Sequence, residues 1–409
     1  MADVVLNAVF VVLIVGSIGS FVYWIAVAVL VQLTSKTIPT ARAGIALAER
    51  KTPTQSVCVL VPCHNEAGNI GTLIESLKEQ DYDRLRVVLM LDRCTDDTLG
   101  VAKAAIGTDA RFEIIEITEC PDDWAGKVHA AYSGYTRSAH ANRSDVLLFT
   151  DADTWLDPAC VRGCVALLDD RGLDFLSLFS TLNVGAWYEK LVQPITAFEL
   201  ARQFPLLRVN RDDRKRRAFA NGQFMMFSRK AYDEIGGHER VKEAVLEDIR
   251  FAQVILHMEL SGGLLLADNM LKCRMYDSWG EYVRGWKRIY TESANREVRR
   301  LKRYAMRTTL MCSVLPMGAL GLVVLGLVMG RDSERWFEIG VGALGFGGWF
   351  VGMFAVYRVS KVPIWMIPGA LIGGVLTSRI FRIAAKELVA GTPTQWGGKS
   401  YVRKAEDVK

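Results

Sequence analysis

Residues 4–33 contain no charged side chain and exceed the roughly 20 apolar residues that a helix needs to cross a bilayer. A purely soluble fold is thereby excluded. No basic start followed by a small-residue cleavage site accompanies the stretch, so it reads as a retained anchor rather than a removed signal. Residues 308–330 and 337–357 are also long enough to span, and 50% of the chain is hydrophobic. Residues 362–376 are shorter and carry Pro363, Pro368, Gly369, Gly373 and Gly374. Orientation follows from flanking charge, because Lys and Arg concentrate on the cytoplasmic side. Lys36, Arg42, Arg50 and Lys51 follow the first span, and Arg296, Arg299, Arg300, Lys302, Arg303 and Arg307 precede the second. The globular region between them is expected in the cytoplasm, on a multi-pass protein of the inner (cytoplasmic) membrane. The tail, with Arg379, Arg382, Lys386, Lys399, Arg403 and Lys404, is basic as well. A tail on that same side predicts that 362–376 enters and returns or lies at the interface, with a full crossing as the alternative.

Between the anchor and the later spans, short apolar runs alternate with helical patterns. Residues 56–63 form the first run, which leads into Asn65 and Glu66, and Ile70, Leu73, Ile74 and Leu77 follow with helical spacing. Residues 86–92 end at Asp92, and 95–98 supply N-cap residues for the next helix. A third run, 112–117, precedes the loop Cys120-Pro-Asp-Asp-Trp-Ala-Gly-Lys127. The fourth, Asp145-Val-Leu-Leu-Phe-Thr-Asp151-Ala-Asp153, stops abruptly in two carboxylates. Such alternation predicts an α/β fold with a mostly parallel sheet, whose ligands collect at the carboxyl ends of the strands. Glu66, Asp92, Asp151 and Asp153 should then share one rim. In extended chain, residues i and i+2 point the same way, so Asp151 and Asp153 can converge on one Mg²⁺ or Mn²⁺ that keeps waters and phosphate oxygens as its other ligands. The alternative is a strand-ending turn that happens to be acidic.

Further on, residues 219–229 read as a glycine-kinked loop entering a strand, and 244–253 open a helix with Glu247 and Asp248 in its first turn. Acids there are favoured by the helix dipole whatever their function. No G-x-G-x-x-G follows a strand and no P-loop pattern occurs, His64, His129, His140, His238 and His257 are unclustered, and no C-x-x-C pair exists. Cys160 and Cys164, one helical turn apart, read as small core residues, and eight scattered cysteines suit a reducing compartment. Residues 187–204 are amphipathic apart from Pro194, and Trp279, Tyr282, Trp286, Tyr290 and Tyr304 intermingle with cations. That mixture suits a helix in the headgroup layer, or else an ordinary stripe packed on the domain. The basic run Arg208, Arg211, Arg214, Lys215, Arg216 and Arg217 suits phosphate headgroups rather than nucleic acid, since no stacking aromatics interleave with it.

In order and spacing, Pro62-Cys-His-Asn-Glu66, Leu91-Asp92-Arg-Cys-Thr-Asp-Asp97-Thr, Gly126-Lys127, Thr150-Asp-Ala-Asp153 and Leu246-Glu247-Asp248 resemble the family 2 glycosyltransferases, over residues 55–290. Within them, Trp124-Ala-Gly-Lys127, Arg274-Met-Tyr276, Gly285-Trp286 and Thr394-Gln-Trp396-Gly-Gly-Lys-Ser-Tyr401 are most similar to the membrane enzymes of hopanoid and carotenoid glycosylation. The resemblance implies a GT-A fold and inverting, metal-dependent transfer of a sugar from a nucleotide diphosphate donor, a UDP-sugar first among candidates, to a lipid acceptor. It implies that Pro62, Asn65 and Glu66 shape the nucleoside pocket, that Asp92 accepts a hydrogen bond from the base, and that Lys127 contacts the diphosphate. Asp151 and Asp153 would stand at the metal, Asp248 would be the general base, and Glu247 would orient it or touch the acceptor. Trp279, Tyr282 and Trp286 would face acceptor and membrane. One departure is Asp92-Arg-Cys-Thr, where many members have a second acid and a Gly-Ser pair, which bears on the backbone groups that approach the base.

A processive polysaccharide synthase would carry Gln-x-x-Arg-Trp after the base, whereas Arg284-Gly-Trp286-Lys-Arg stands here. A catalytically silent nucleotide-binding scaffold would lack Asp151, Asp153 or Asp248, and all are present. The expected organisation is an anchor at 1–35, a GT-A domain at 50–280, an interfacial segment at 281–306, membrane segments at 307–380 and a basic cytoplasmic tail at 381–409.

Overall fold

The computed structural model describes residues 2–182, 184–204, 206–211, 213–329, 335–396 and 398–401. The apolar runs form strands β1 (Val57–Cys63), β2 (Leu85–Asp92), β3 (Phe112–Ile117) and β4 (Val146–Thr150). They continue with β5 (Thr154–Leu156), β6 (Phe175–Phe179), β7 (Thr181–Leu182), β8 (Phe224–Ser228), β9 (Gly262–Leu266) and β10 (Leu271–Cys273). Near the C-terminus, β11 (Thr394–Trp396) and β12 (Lys399–Tyr401) make an antiparallel hairpin. Among the described residues, seven strands form one sheet in the order β3-β2-β1-β4-β8-β6-β9. All neighbours are parallel except β8, which runs against β4 and β6. Alternation puts Val57, Val59 and Val61 in the core on one face and Cys58 and Leu60 in that on the other. This is the mostly parallel α/β sheet expected from the sequence.

The strand directions decide where the site lies. β1, β2 and β4 all end at one rim, and β8 starts there because Thr150 pairs with Phe224. The small sheet β5-β10-β7 closes that rim from the side. The domain also begins ahead of β1: Thr40 bridges to Leu266, and a Cβ on Gly44, in the helix Ala43–Arg50, would stand 2.0 Å from Gly163 O.

Four described helical segments, Leu6–Thr37, Val298–Met329, Trp336–Val359 and Ile364–Ala390, are long and apolar enough to cross a membrane. The first packs on the third with little between the backbones: Cβ atoms on Gly345, Gly348 and Gly352 would stand 2.5–2.9 Å from Ser17, Phe21 and Trp24. Val11, Val12 and Val15 of the first helix point outward, 58–69% exposed.

Two expectations need correction. The segment 362–376 does not turn back at its glycines: Pro363 and Pro368 sit at and within the 3₁₀ turn Ile364–Gly369, and an unbroken helix, Ala370–Ala390, carries Arg379, Arg382 and Lys386 onward. Gly373 and Gly374 serve close packing, since added Cβ atoms would meet Leu191 O at 2.2 Å and Cys312 Cβ at 2.5 Å. Within the expected tail 381–409, residues 381–390 complete this helix and the β11–β12 hairpin touches the domain through Lys399 and Tyr401. Finally, in the helix Trp279–Ser293, Tyr282 and Trp286 are 0% and 2% exposed, packed with Tyr188, Tyr290 and Phe381. They belong to a core between membrane and domain rather than to a headgroup-facing stripe. Trp279 stacks on Tyr282 beneath Trp187, the aromatic that is exposed there.

Candidate functional site

The turn after β4 throws two carboxylates off the rim. Thr154 Oγ1 donates to Asp151 O at 2.7 Å, and Arg274 N donates to Asp153 O at 3.1 Å. Opposite stands Lys127, second residue of the helix Gly126–Arg137, whose Nζ is 2.6 Å from both Asp151 Oδ1 and Glu247 Oε1. Burial opposes a charge here, yet the two carboxylates hold the ammonium well above its ordinary range. Asp248 Oδ1 accepts from Ile249 N (2.7 Å) in its own helix, Glu247–His257, and Oδ2 from Gly222 N (2.9 Å) in the loop before β8. A Cβ on Gly222 would stand 3.3 Å from Asp248 and Lys127 and 3.4 Å from Glu247, so glycine lets this loop pass between them. Burial, and then the neighbouring Glu247 charge, push the Asp248 carboxyl up to about 7.

Asp153 is pushed up to about 8, chiefly by burial and then by the charges of Asp151 and Glu66. Its Oδ1 is buried without a hydrogen-bond partner. Two crowded carboxylates with an unpartnered oxygen suit a hard divalent cation, which would relieve both strains. Among the described residues no group of three or more His, Cys, Asp or Glu gathers as a complete metal site. The protein side therefore offers Asp151 and Asp153, and ligand and water oxygens must supply the rest.

Two cavities meet at Lys127, Asp151 and Asp153. One is lined by Pro62, His64, Glu66 and Asp92 at the ends of β1 and β2. The other is largely apolar, with Leu200, Phe204, Phe219 and Ile289 in its wall and Glu247, Asp248, Tyr276 and Trp286 at its polar end. Of the residues singled out in the sequence, Pro62, Glu66, Asp92, Lys127 and Asp151 thus come together. Asn65 does not line the cavity; exposed at φ 57°, it accepts from Thr95 N at 2.7 Å and staples the two strand-end loops. Asp92 is 2% exposed and both of its oxygens accept from Arg93, at 2.8 and 2.6 Å. A base reaching Asp92 must share it with that guanidinium or displace it, which is the local consequence of the Asp92-Arg-Cys-Thr departure. Trp286 reaches the apolar cavity, and Trp279 and Tyr282 do not line it. The basic run is partly structural, since Arg216 donates to Leu260 O at 2.8 Å and Gly262 O at 3.0 Å.

Sequence reasoning missed four lining residues. His64, whose Nδ1 lies 2.6 Å from Asp92 O, was set aside for lack of metal-ligand spacing. Gly222, Gln223 and Arg288 lie in segments recognised only as a loop and a basic helix, and no local signal marks them out. Gln223 closes a network, donating to Cys273 Sγ at 2.9 Å while its own carbonyl accepts from Thr150 Oγ1 at 2.8 Å.

The mostly parallel α/β sheet, with acids gathered at the carboxyl ends of its strands, is that of a GT-A fold. Residues 58–236 match the family described as Glycosyl transferase family 2, so the chain carries a family 2 glycosyltransferase domain. The chain is similar to the 4,4'-diaponeurosporenoate glycosyltransferase of Staphylococcus aureus (strain MRSA252), with 25% identity over 240 residues, 57% of this chain and 60% of the relative. It is also similar to that of strain bovine RF122 / ET3-1, 27% identical over 200 residues, 47% of this chain and 49% of the relative. The match therefore spans about half to three fifths of these relatives' length. Among solved structures, the mannosyltransferase PcManGT from Pyrobaculum calidifontis in complex with GDP-Man and Mn²⁺ aligns at TM-score 0.48 and 17% identity, covering 93% of this chain and 98% of that one. S. aureus TarS 1-349 in complex with UDP-GlcNAc aligns at TM-score 0.39 and 13% identity, covering 85% and 96%.

Proposed function

We propose that the protein is an inverting, metal-dependent glycosyltransferase that moves one sugar from a nucleoside diphosphate donor to a hydroxyl of a lipid at the membrane. The observation that carries this reading is the position of Asp248. Its carboxylate stands at the polar end of an apolar cavity walled by Leu200, Phe204 and Ile289, and that cavity meets a polar one edged by strand-end acids at Lys127, Asp151 and Asp153. The polar cavity suits a nucleoside diphosphate, with Glu66 and Asp92 towards the nucleoside and Lys127 towards the diphosphate. The apolar cavity suits the stem of a lipid. Asp151 and Asp153 would hold Mg²⁺ or Mn²⁺, which when bound supplies positive charge for the departing diphosphate.

The steps performed by the chain itself follow. Lys127, bridging Asp151 and Glu247, is positioned to move its charge towards a phosphate oxygen. Asp248, its carboxyl near neutrality, is suited to take the acceptor's proton as that oxygen attacks the anomeric carbon. Only one base is needed because a diphosphate leaves without a proton, and attack opposite the leaving group inverts the stereochemistry. Glu247 keeps Asp248 basic and holds Lys127. The spans and flanking cations suit a multi-pass inner-membrane protein with this site on the cytoplasmic side.

The test is transfer from a panel of radiolabelled UDP- and GDP-sugars into membrane lipid by the purified protein, read by mass spectrometry of the lipid product. Transfer that is abolished by Asp151→Asn and Asp153→Asn while the folded protein is retained supports the proposal. Full turnover by Asp153→Asn in chelator-treated membranes would overturn the metal assignment, and absence of any lipid product with every donor would overturn the activity.

A further inference from the structure

The C-terminal hairpin lies against His64, a residue that lines the donor cavity. Only residues 391–393 separate it from the membrane-length helix Ile364–Ala390. On one side, Gly398, at φ +69°, rests so close to His64 that a Cβ would stand 2.7 Å from that ring; His64 lines the cavity and touches Asp92 O at 2.6 Å. On the other side, Lys399 Nζ donates to Trp124 O at 3.0 Å and also to Pro121 O. Tyr401 Oη accepts from Gly126 N at 3.1 Å, at the start of the helix that carries Lys127. The hairpin thus ties the β1 loop to the 121–126 loop beside the cavity, at the end where Asp92 and Arg93 pair. Among the described residues these polar contacts are joined by the packing of Tyr401 against the core cluster that includes Val128 and Ala130.

We propose that the β11–β12 hairpin is a wall of the nucleoside diphosphate site, and that its docking and donor binding reinforce one another. The inference rests on the donor reading above. Gly398 is the residue that seats it, because any side chain there both meets His64 and must adopt a left-handed backbone. Tyr401 positions the first turn of the Lys127 helix. Coupling of this kind is reciprocal, so a nucleotide that gains affinity from the hairpin must also hold the hairpin down.

The experiment uses the full-length protein in detergent with UDP and with GDP, each with Mn²⁺, and measures affinity by calorimetry and trypsin cleavage after Lys399. Gly398→Val and Tyr401→Phe are expected to weaken nucleotide binding, by about tenfold for a lost hydrogen bond or seat, with thermal stability unchanged. Saturating nucleotide is expected to slow cleavage after Lys399 in the wild type and much less in Gly398→Val. Wild-type binding with both variants within twofold, or cleavage unaffected by nucleotide, overturns the hairpin's role. Failure of the wild type to bind either nucleotide overturns the donor reading itself.

Discussion

Asp248 and Glu247 are adjacent on one helix turn, yet the fold gives them different partners. Glu247 pairs with Lys127, and Asp248 holds only backbone N–H groups. Asp248→Asn, nearly isosteric, is expected to keep nucleotide affinity and lose about 10²- to 10⁴-fold in transfer rate, the contribution of a positioned base. Glu247→Gln is expected to lose less. Calorimetry beside single-turnover transfer separates the two, and a reversed ranking assigns the base to Glu247. The pH profile gives an independent reading. In the proposed role of Asp248 the carboxylate is the active form, and with burial and Glu247 pushing its carboxyl up to about 7 the rate should be flat above neutrality and fall about tenfold per unit below it. Glu247 is one cause of that elevation, so Glu247→Gln should move the acidic limb to lower pH. A limb that stays in place would mean that Asp248 is not what titrates.

At the scale of elements, the pairing of the first membrane helix with Trp336–Val359 depends on small residues. At Gly348 an added Cβ would stand 2.8 Å from Phe21 Cδ2 and 2.9 Å from its Cα, so backbone as well as side chain must move. Gly348→Leu is expected to cost about 1–3 kcal/mol of overpacking strain, visible as a lower melting temperature in detergent. Gly347→Leu, where a Cβ meets nothing within 4 Å, is the control and should leave it unchanged. Elements with strong local signals were legible beforehand: the four strand runs, the acids that end them and the long spans. The interfacial reading of Tyr282 and Trp286 failed because an amphipathic stripe looks the same whether it faces lipid headgroups or a partner helix. The chain does not reverse within 362–376, because glycines that break a solvated helix also permit the close approach of Leu191 and Cys312, while the hairpin's contacts with the domain agree with a tail on the domain's side.

Over the whole molecule, the catalytic domain is locked to its membrane helices by charge as well as by packing. Glu199, 1% exposed, takes Arg307 at 2.5 Å and Arg202 at 3.6 Å, where the domain meets the segment Val298–Met329. Protease added outside spheroplasts is expected to spare residues 50–300, whereas inverted vesicles should expose them. External cleavage in that region would reverse the proposed orientation. With four crossings the hairpin would share a side with the N-terminus of the first helix, so the orientation of Ile364–Ala390 must also satisfy the hairpin's contacts with His64 and Trp124, which lie on the catalytic domain. Cysteine labelling at Ser400 from either side measures this directly; labelling only from the catalytic side is expected.

What the sequence determined by itself was periodic or terminal: apolar runs of strand length, the acids that stop them, the spans and their flanking cations. These are signals within a few residues, set by backbone period and by transfer of side chains from water. Which of those acids share a lysine was decided only by the tertiary structure, because Lys127, Asp151, Gly222 and Glu247 come from four separate segments. The antiparallel insertion of β8 brings Gly222 to the rim beside Asp248, and the short link after Ala390 lets the hairpin lay Tyr401 against Gly126. No local pattern encodes such meetings, since they depend on strand order and chain direction across the entire fold.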